Sequence, residues 1–189
     1  MGFLDRFFGG SRSAENVKDK QFEKNDFSVI LEIAELISSN NKAVSDRLKF
    51  CVERPEEYFS ECSERYTERG IDVNNREKNT LYWIGMVDEL AEQGFLFSVD
   101  WKCELEDFLW AMEQIKTYPL ISDEISSITF DENCDILEWG RRVNEAVGKA
   151  RLCWVDIDSD SYELIIVTTE ALEKIASLAP KTGYSVKAF

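Results

Sequence analysis

The chain contains no histidine. Its absence excludes a Ser-His-Asp triad, a histidine general base and an imidazole ligand for zinc. Cysteine is sparse: five residues, at 51, 62, 103, 134 and 153, and no CxxC pair. An odd number in a chain without an export signal reads as reduced thiols in or near the core. A nucleophilic thiolate needs a base beside it, and the usual base is missing. The nine glycines are scattered, so there is neither a phosphate-cradling loop nor a dinucleotide fingerprint, and no cofactor is expected. No apolar run approaches the ~20 residues that span a bilayer, which argues against stable membrane insertion. The N-terminus shows no basic region, apolar core and small-residue cleavage site in succession, which places the protein in the cytoplasm. Positive charge is short as well: 22 Lys and Arg face 37 Asp and Glu, a net charge of −15. Phosphate backbones repel such a chain, so nucleic acid is not an expected partner.

What is present is a normal apolar fraction, 44%, in 189 residues, enough to bury a core. The acid is unevenly placed. Residues 103–138 hold ten acids and one base, whereas 139–189 hold seven of each. An acidic stretch of this kind is either a solvated face or a docking surface for a basic protein.

The stretch 82–116 organises the chain as helix, strand, helix. Trp83, Ile84, Val87, Leu90 and Ala91 form one helical stripe, which leaves Asp88, Glu89 and Glu92 to face water. Gly94 suits the left-handed end of that helix. Phe95, Phe97, Val99 and Trp101 then alternate as a strand does. Leu105, Phe108, Leu109 and Met112 return to helical spacing, with Glu104, Glu106 and Asp107 at the helix start, where carboxylates are favoured.

Residues 1–25 read as an amphipathic piece bearing Phe3, Leu4, Phe7 and Phe8, followed by a polar, flexible tether. The piece has three readings: packing on its own domain or on another copy, seating in a partner's groove, or touching a membrane surface. Residues 26–189 read as one α+β domain, with a helical part over 26–75 and a helix-strand-helix plus hairpin-helix-strand part over 76–189. In the first part, Asp26 or Ser28 is a plausible cap for a stripe through Ile37. Pro55 suits the first turn of a helix closed by Gly70. In the second, Ile125, Ile128 and Phe130 are an edge strand or a covered loop. Gly140 inside a helix marks a close approach by something else, and Thr168 or Thr169 can cap the last helix. Four short strands, near 95–101, 152–157, 162–168 and 184–188, make a small mixed sheet covered by helices on one or both faces.

Two constellations are candidates for function. Asp156, Asp158 and Asp160 alternate in VDIDSDSY, a spacing at which carboxylates can share a divalent cation, although the loop lacks the glycine and glutamate of a helical calcium loop and turn chemistry also explains it. Asp100, Trp101 and Lys102 end the central strand, and with Glu104, Glu106 and Asp107 form a candidate partner-binding patch. A tryptophan there also covers a core, and this is the preferred reading of Trp101.

The Asp-Trp-Lys at 100–102 and the Asp-Ser-Asp-Ser-Tyr at 158–162 resemble an uncharacterised family of bacterial cytoplasmic proteins, a domain of unknown function, over residues 76–189. Residues 1–75 read as peculiar to this chain. The resemblance implies no enzymatic activity. As a class, small acidic α+β proteins are also similar to bacterial immunity proteins, which neutralise a toxin by covering it. The leading expectation is a non-enzymatic module that binds a basic protein partner through its acidic middle. The alternative is a hydrolase or transferase that uses a divalent metal on the clustered aspartates.

Overall fold

The computed structural model describes residues 24–74 and 78–189. The expected N-terminal amphipathic piece and tether lie outside the described residues, except for their last two positions. The chain begins with α1 (Lys24–Ile37), α2 (Lys42–Glu53), α3 (Pro55–Glu61), α4 (Ser63–Glu68) and α5 (Lys78–Glu92). There follow β1 (Phe97–Asp100), α6 (Leu105–Gln114), α7 (Ser122–Ile125) and α8 (Ile136–Ala146). The hairpin of β2 (Ala150–Val155) and β3 (Ser161–Thr168), then α9 (Thr169–Leu178) and β4 (Val186–Ala188), complete the fold. Among the described residues no helix is long and apolar enough to cross a membrane.

The class is α+β, and a strand forms within or close to each of the four expected stretches. The sheet runs β1-β3-β2-β4. Every neighbouring pair is antiparallel, so the sheet is not mixed. Helices cover both faces. Cys153, Val155, Ile165 and Val167 face a core built with α1–α5 and α9. Leu152, Leu164 and Ile166 face a second core built with α6–α8. Burial on both faces explains why Leu164–Val167 reads as an unbroken apolar run.

Several local expectations hold for the stated reasons. Pro55 opens α3, Gly94 has φ 71°, and the Thr168 hydroxyl accepts from the Ala171 amide at 3.1 Å. Gly140 is a close approach: a Cβ there would lie 2.2 Å from Cγ of Phe189. Another fails. Ser28 lies inside α1, which starts at Lys24. Of the two readings for Ile125, Ile128 and Phe130, the covered loop holds for Ile128 and Phe130, which lie against the second core, while Ile125 ends a helical turn over 122–125.

The largest correction concerns α5. Every residue from Leu81 to Leu90 is buried, including Asp88 and Glu89, while Ala91 and Glu92 are exposed. The helix packs against α1 and α2, and its Trp83 indole donates to the Asp156 carbonyl just past the end of β2, so it has almost no wet face. Its carboxylates are tolerated because arginines cover them. Glu89 accepts from Tyr58 Oη at 2.9 Å and lies 3.5 Å from both Arg47 Nε and Arg65 Nη1. Asp88 pairs with Arg69. Gly85 makes room for this arrangement, since the hydroxyls of Tyr66 and Tyr58 would sit 3.3 and 3.4 Å from a Cβ there.

Candidate functional site

The two segments singled out in the sequence meet in space. Asp100 stands opposite Ser161 in the β1–β3 ladder, and the Trp101 amide donates to the Asp160 carbonyl at 3.2 Å. Beyond that point they diverge in role. The Asp100 carboxylate accepts from the Lys102 amide at 2.7 Å and closes a turn into α6. Trp101 is 51% exposed, so it does not cover the core as preferred from the sequence. The strand ends at Asp100, which frees Trp101 from the alternation of β1. Its ring carries Lys102 Nζ at 4.4 Å from the centroid.

Glu104 sits at the N-cap of α6 without donating or accepting a side-chain cap bond, and Glu106 and Asp107 occupy the first turn. Phe108, Ala111 and Met112 face the second core. The adjoining flank of α6, where Leu105 and Leu109 are partly buried against the same core, is different in kind. Leu105, Leu109 and Trp110 line a groove of about 620 Å³ together with Glu104, Glu106, Glu113 and Glu132. Trp110 is 53% exposed, and its ring is held edge-on to Phe97 of β1 at 5.1 Å. Three apolar side chains and four carboxylates line the groove, and among the described residues no Lys or Arg does. Of the expected patch it takes in Glu104 and Glu106, whereas Asp100, Trp101, Lys102 and Asp107 lie outside its lining. Sequence reasoning missed Trp110, and it took in Glu113 and Glu132 only as part of the acidic stretch without singling them out. The available signal was Trp110 itself, an aromatic off the helix's buried stripe.

The aspartate loop has local occupations. Asp156 accepts from Lys187 Nζ at 2.6 Å, from Ser185 Oγ at 3.2 Å and from the Asp158 amide at 3.1 Å. The Lys187 bond, more than any other influence, holds its carboxyl below the usual range. Asp158 has φ 57° in the turn, and Asp160 is exposed. Among the described residues no three His, Cys, Asp or Glu side chains come together to hold a metal ion, and Asp156, Asp158 and Asp160 form no such group. All five cysteines are free; Cys51, Cys62 and Cys153 are buried, and burial pushes the Cys153 thiol up to about 12.

No curated protein and no solved structure matches the chain. A family model does match, over residues 29–189, so the likeness begins well before residue 76 and takes in most of the helical layer under the sheet. The chain belongs to the family described as a domain of unknown function, DUF6630.

Proposed function

We propose that this protein is a non-enzymatic binding module of the bacterial cytoplasm whose α6 face docks a basic, amphipathic segment of a partner protein. The α6 groove carries this reading. Its apolar floor and glutamate rim complement a helix or extended segment that presents aliphatic side chains on one side and Lys or Arg beside them. Trp110 is the anchor, being large, exposed and already held by Phe97, so little ordering remains when a partner arrives. The surrounding sequence adds to the field, since 103–138 is net −9. An immunity-like role, in which the module covers a basic toxin, is one form such docking takes.

The test uses a fluorescein-labelled helical peptide of leucine and lysine, titrated with the full chain and followed by anisotropy. Saturable binding is expected, weakened by about tenfold or more in Trp110→Ala, the loss typical of an anchor residue. Equal binding by wild type and Trp110→Ala would remove α6 as the docking face.

A further inference from the structure

Three carboxylates are buried among the described residues: Asp88, Glu89 and Glu163. Asp88 has Arg69, and Glu89 has Arg47 and Arg65. Glu163, 2% exposed, pairs with no cation among the described residues. It lies on β3 two and four residues before Ile165 and Val167, on the strand face that those residues turn to the α1–α5 core. An apolar side chain would be expected there. Instead Glu163 accepts from the hydroxyls of Ser98, its cross-strand neighbour, and Ser161. Two serines use only part of the acceptor capacity of a carboxylate, which offers about four lone-pair sites. They also leave its charge unopposed in a poorly hydrated place.

The group that would oppose it has room to enter. Glu163 lines a pocket of about 610 Å³ between the β1–β3 edge, the start of α5 and the end of α4, on the opposite side of the sheet from α6. Ile71, Ile84 and Ile157 give it apolar walls; Thr80, Ser159 and Tyr184 supply hydroxyls; Arg69 stands at one side. Asp88 repeats the same deficit. Its Oδ2 is buried with no hydrogen-bond partner among the described residues. Burial first, and Glu163 in the same direction, push its carboxyl up against the pull of Arg69.

The structure assigns this pocket, we infer, to a small organic cation whose primary ammonium or guanidinium group pairs with Glu163. Such a group supplies two or three donors to the unused lone pairs, and its aliphatic stem fits the isoleucine walls. The volume is that of a small-molecule site. The site is independent of the α6 groove, so either can fail without the other.

Agmatine and butylamine are the probes, with butanol as the uncharged control and magnesium as the metal arm. Each is titrated into the isotope-labelled full chain while amide shifts are followed. The expected result is saturable shifts at Ser98, Ser159 and Ser161 with either amine and none with butanol. Glu163→Gln, which keeps the shape and loses the charge, should weaken binding by at least about tenfold. Ser159→Trp, at the exposed rim, should do the same by blocking the pocket, and it keeps the question open should Glu163→Gln fail to fold. Amine shifts scattered over the acidic surface, equal binding by either variant, a response to magnesium alone, or no response at all would overturn the assignment.

Discussion

At the scale of single residues, charge inside the fold is the feature that most needs explaining. Glu89 is 2% exposed in the last turn of α5 and is kept there by Tyr58 and two partly covered arginines. The phenol contributes the best-formed of these bonds, at 2.9 Å. Tyr58→Phe should therefore cost about 2 kcal/mol in urea unfolding, the value of a hydrogen bond to a charged group whose acceptor stays buried. Tyr66→Phe, which removes a 3.2 Å bond to the Leu81 carbonyl, should cost about half as much. Gly140 gives a sharper expectation, because the ring of Phe189 occupies the place of a Cβ. Gly140→Ala should destabilise by about 1–3 kcal/mol through overpacking. In a Phe189→Gly background, which also removes the Cβ that would lie 2.7 Å away, the same change should stabilise by up to about 1 kcal/mol, since alanine is then the better helix former. Additive costs in the double variant would contradict that packing. The close approach at Gly140 was legible from an interior glycine alone. Asp88 and Glu89 were not, because their partners Arg47, Arg65 and Arg69 lie on α2, in α4 and just past α4, and a stripe on one helix says nothing about what covers its other side.

At the scale of elements, the strands and most helices follow from periodicity and end signals, as Pro55, Gly94 and Thr168 illustrate. Strand direction did not follow, since pairing is decided by how far the chain travels between strands. The aspartate run allowed two readings for a related reason: alternation gathers carboxylates in a strand but spreads them in a tight turn such as the one Asp158 makes with positive φ. Asp156 instead anchors β4, an edge strand of three residues, through Lys187 and Ser185. This makes the edge sensitive to acid. The folded carboxyl lies below its ordinary value of 3.8, so its contribution is complete above that value and is lost as pH falls through the lower folded one. Hydrogen exchange at the Asp156 amide, which donates to the Ser185 carbonyl at 2.9 Å, should accelerate over that window. Asp156→Asn should exchange faster at neutral pH and show a smaller acid-induced change. An unaltered acid response in the variant would place the sensitivity elsewhere.

At the scale of the whole molecule, one sheet separates two cores, and each has its own outward feature. The α1–α5 side carries the pocket at Glu163, and the α6–α8 side carries the groove at Trp110. The acidic middle of the sequence, read as a docking surface, falls on the second side, but what makes a docking groove of it is the exposed tryptophan set against Phe97. Aromatic content alone pointed the other way, towards burial, which holds for Trp83 and Trp139 and fails for Trp101 and Trp110. If α6 captures a basic segment, charge governs the encounter and the apolar floor governs the residence time. Stopped-flow mixing with the leucine-lysine peptide at rising ionic strength separates the two. The association rate should fall steeply with salt, Glu106→Lys with Glu113→Lys should remove most of that slope, and Trp110→Ala should act mainly by speeding release. An association rate indifferent to salt, or identical for wild type and the lysine variant, would contradict the assignment of α6 as an electrostatically steered docking face.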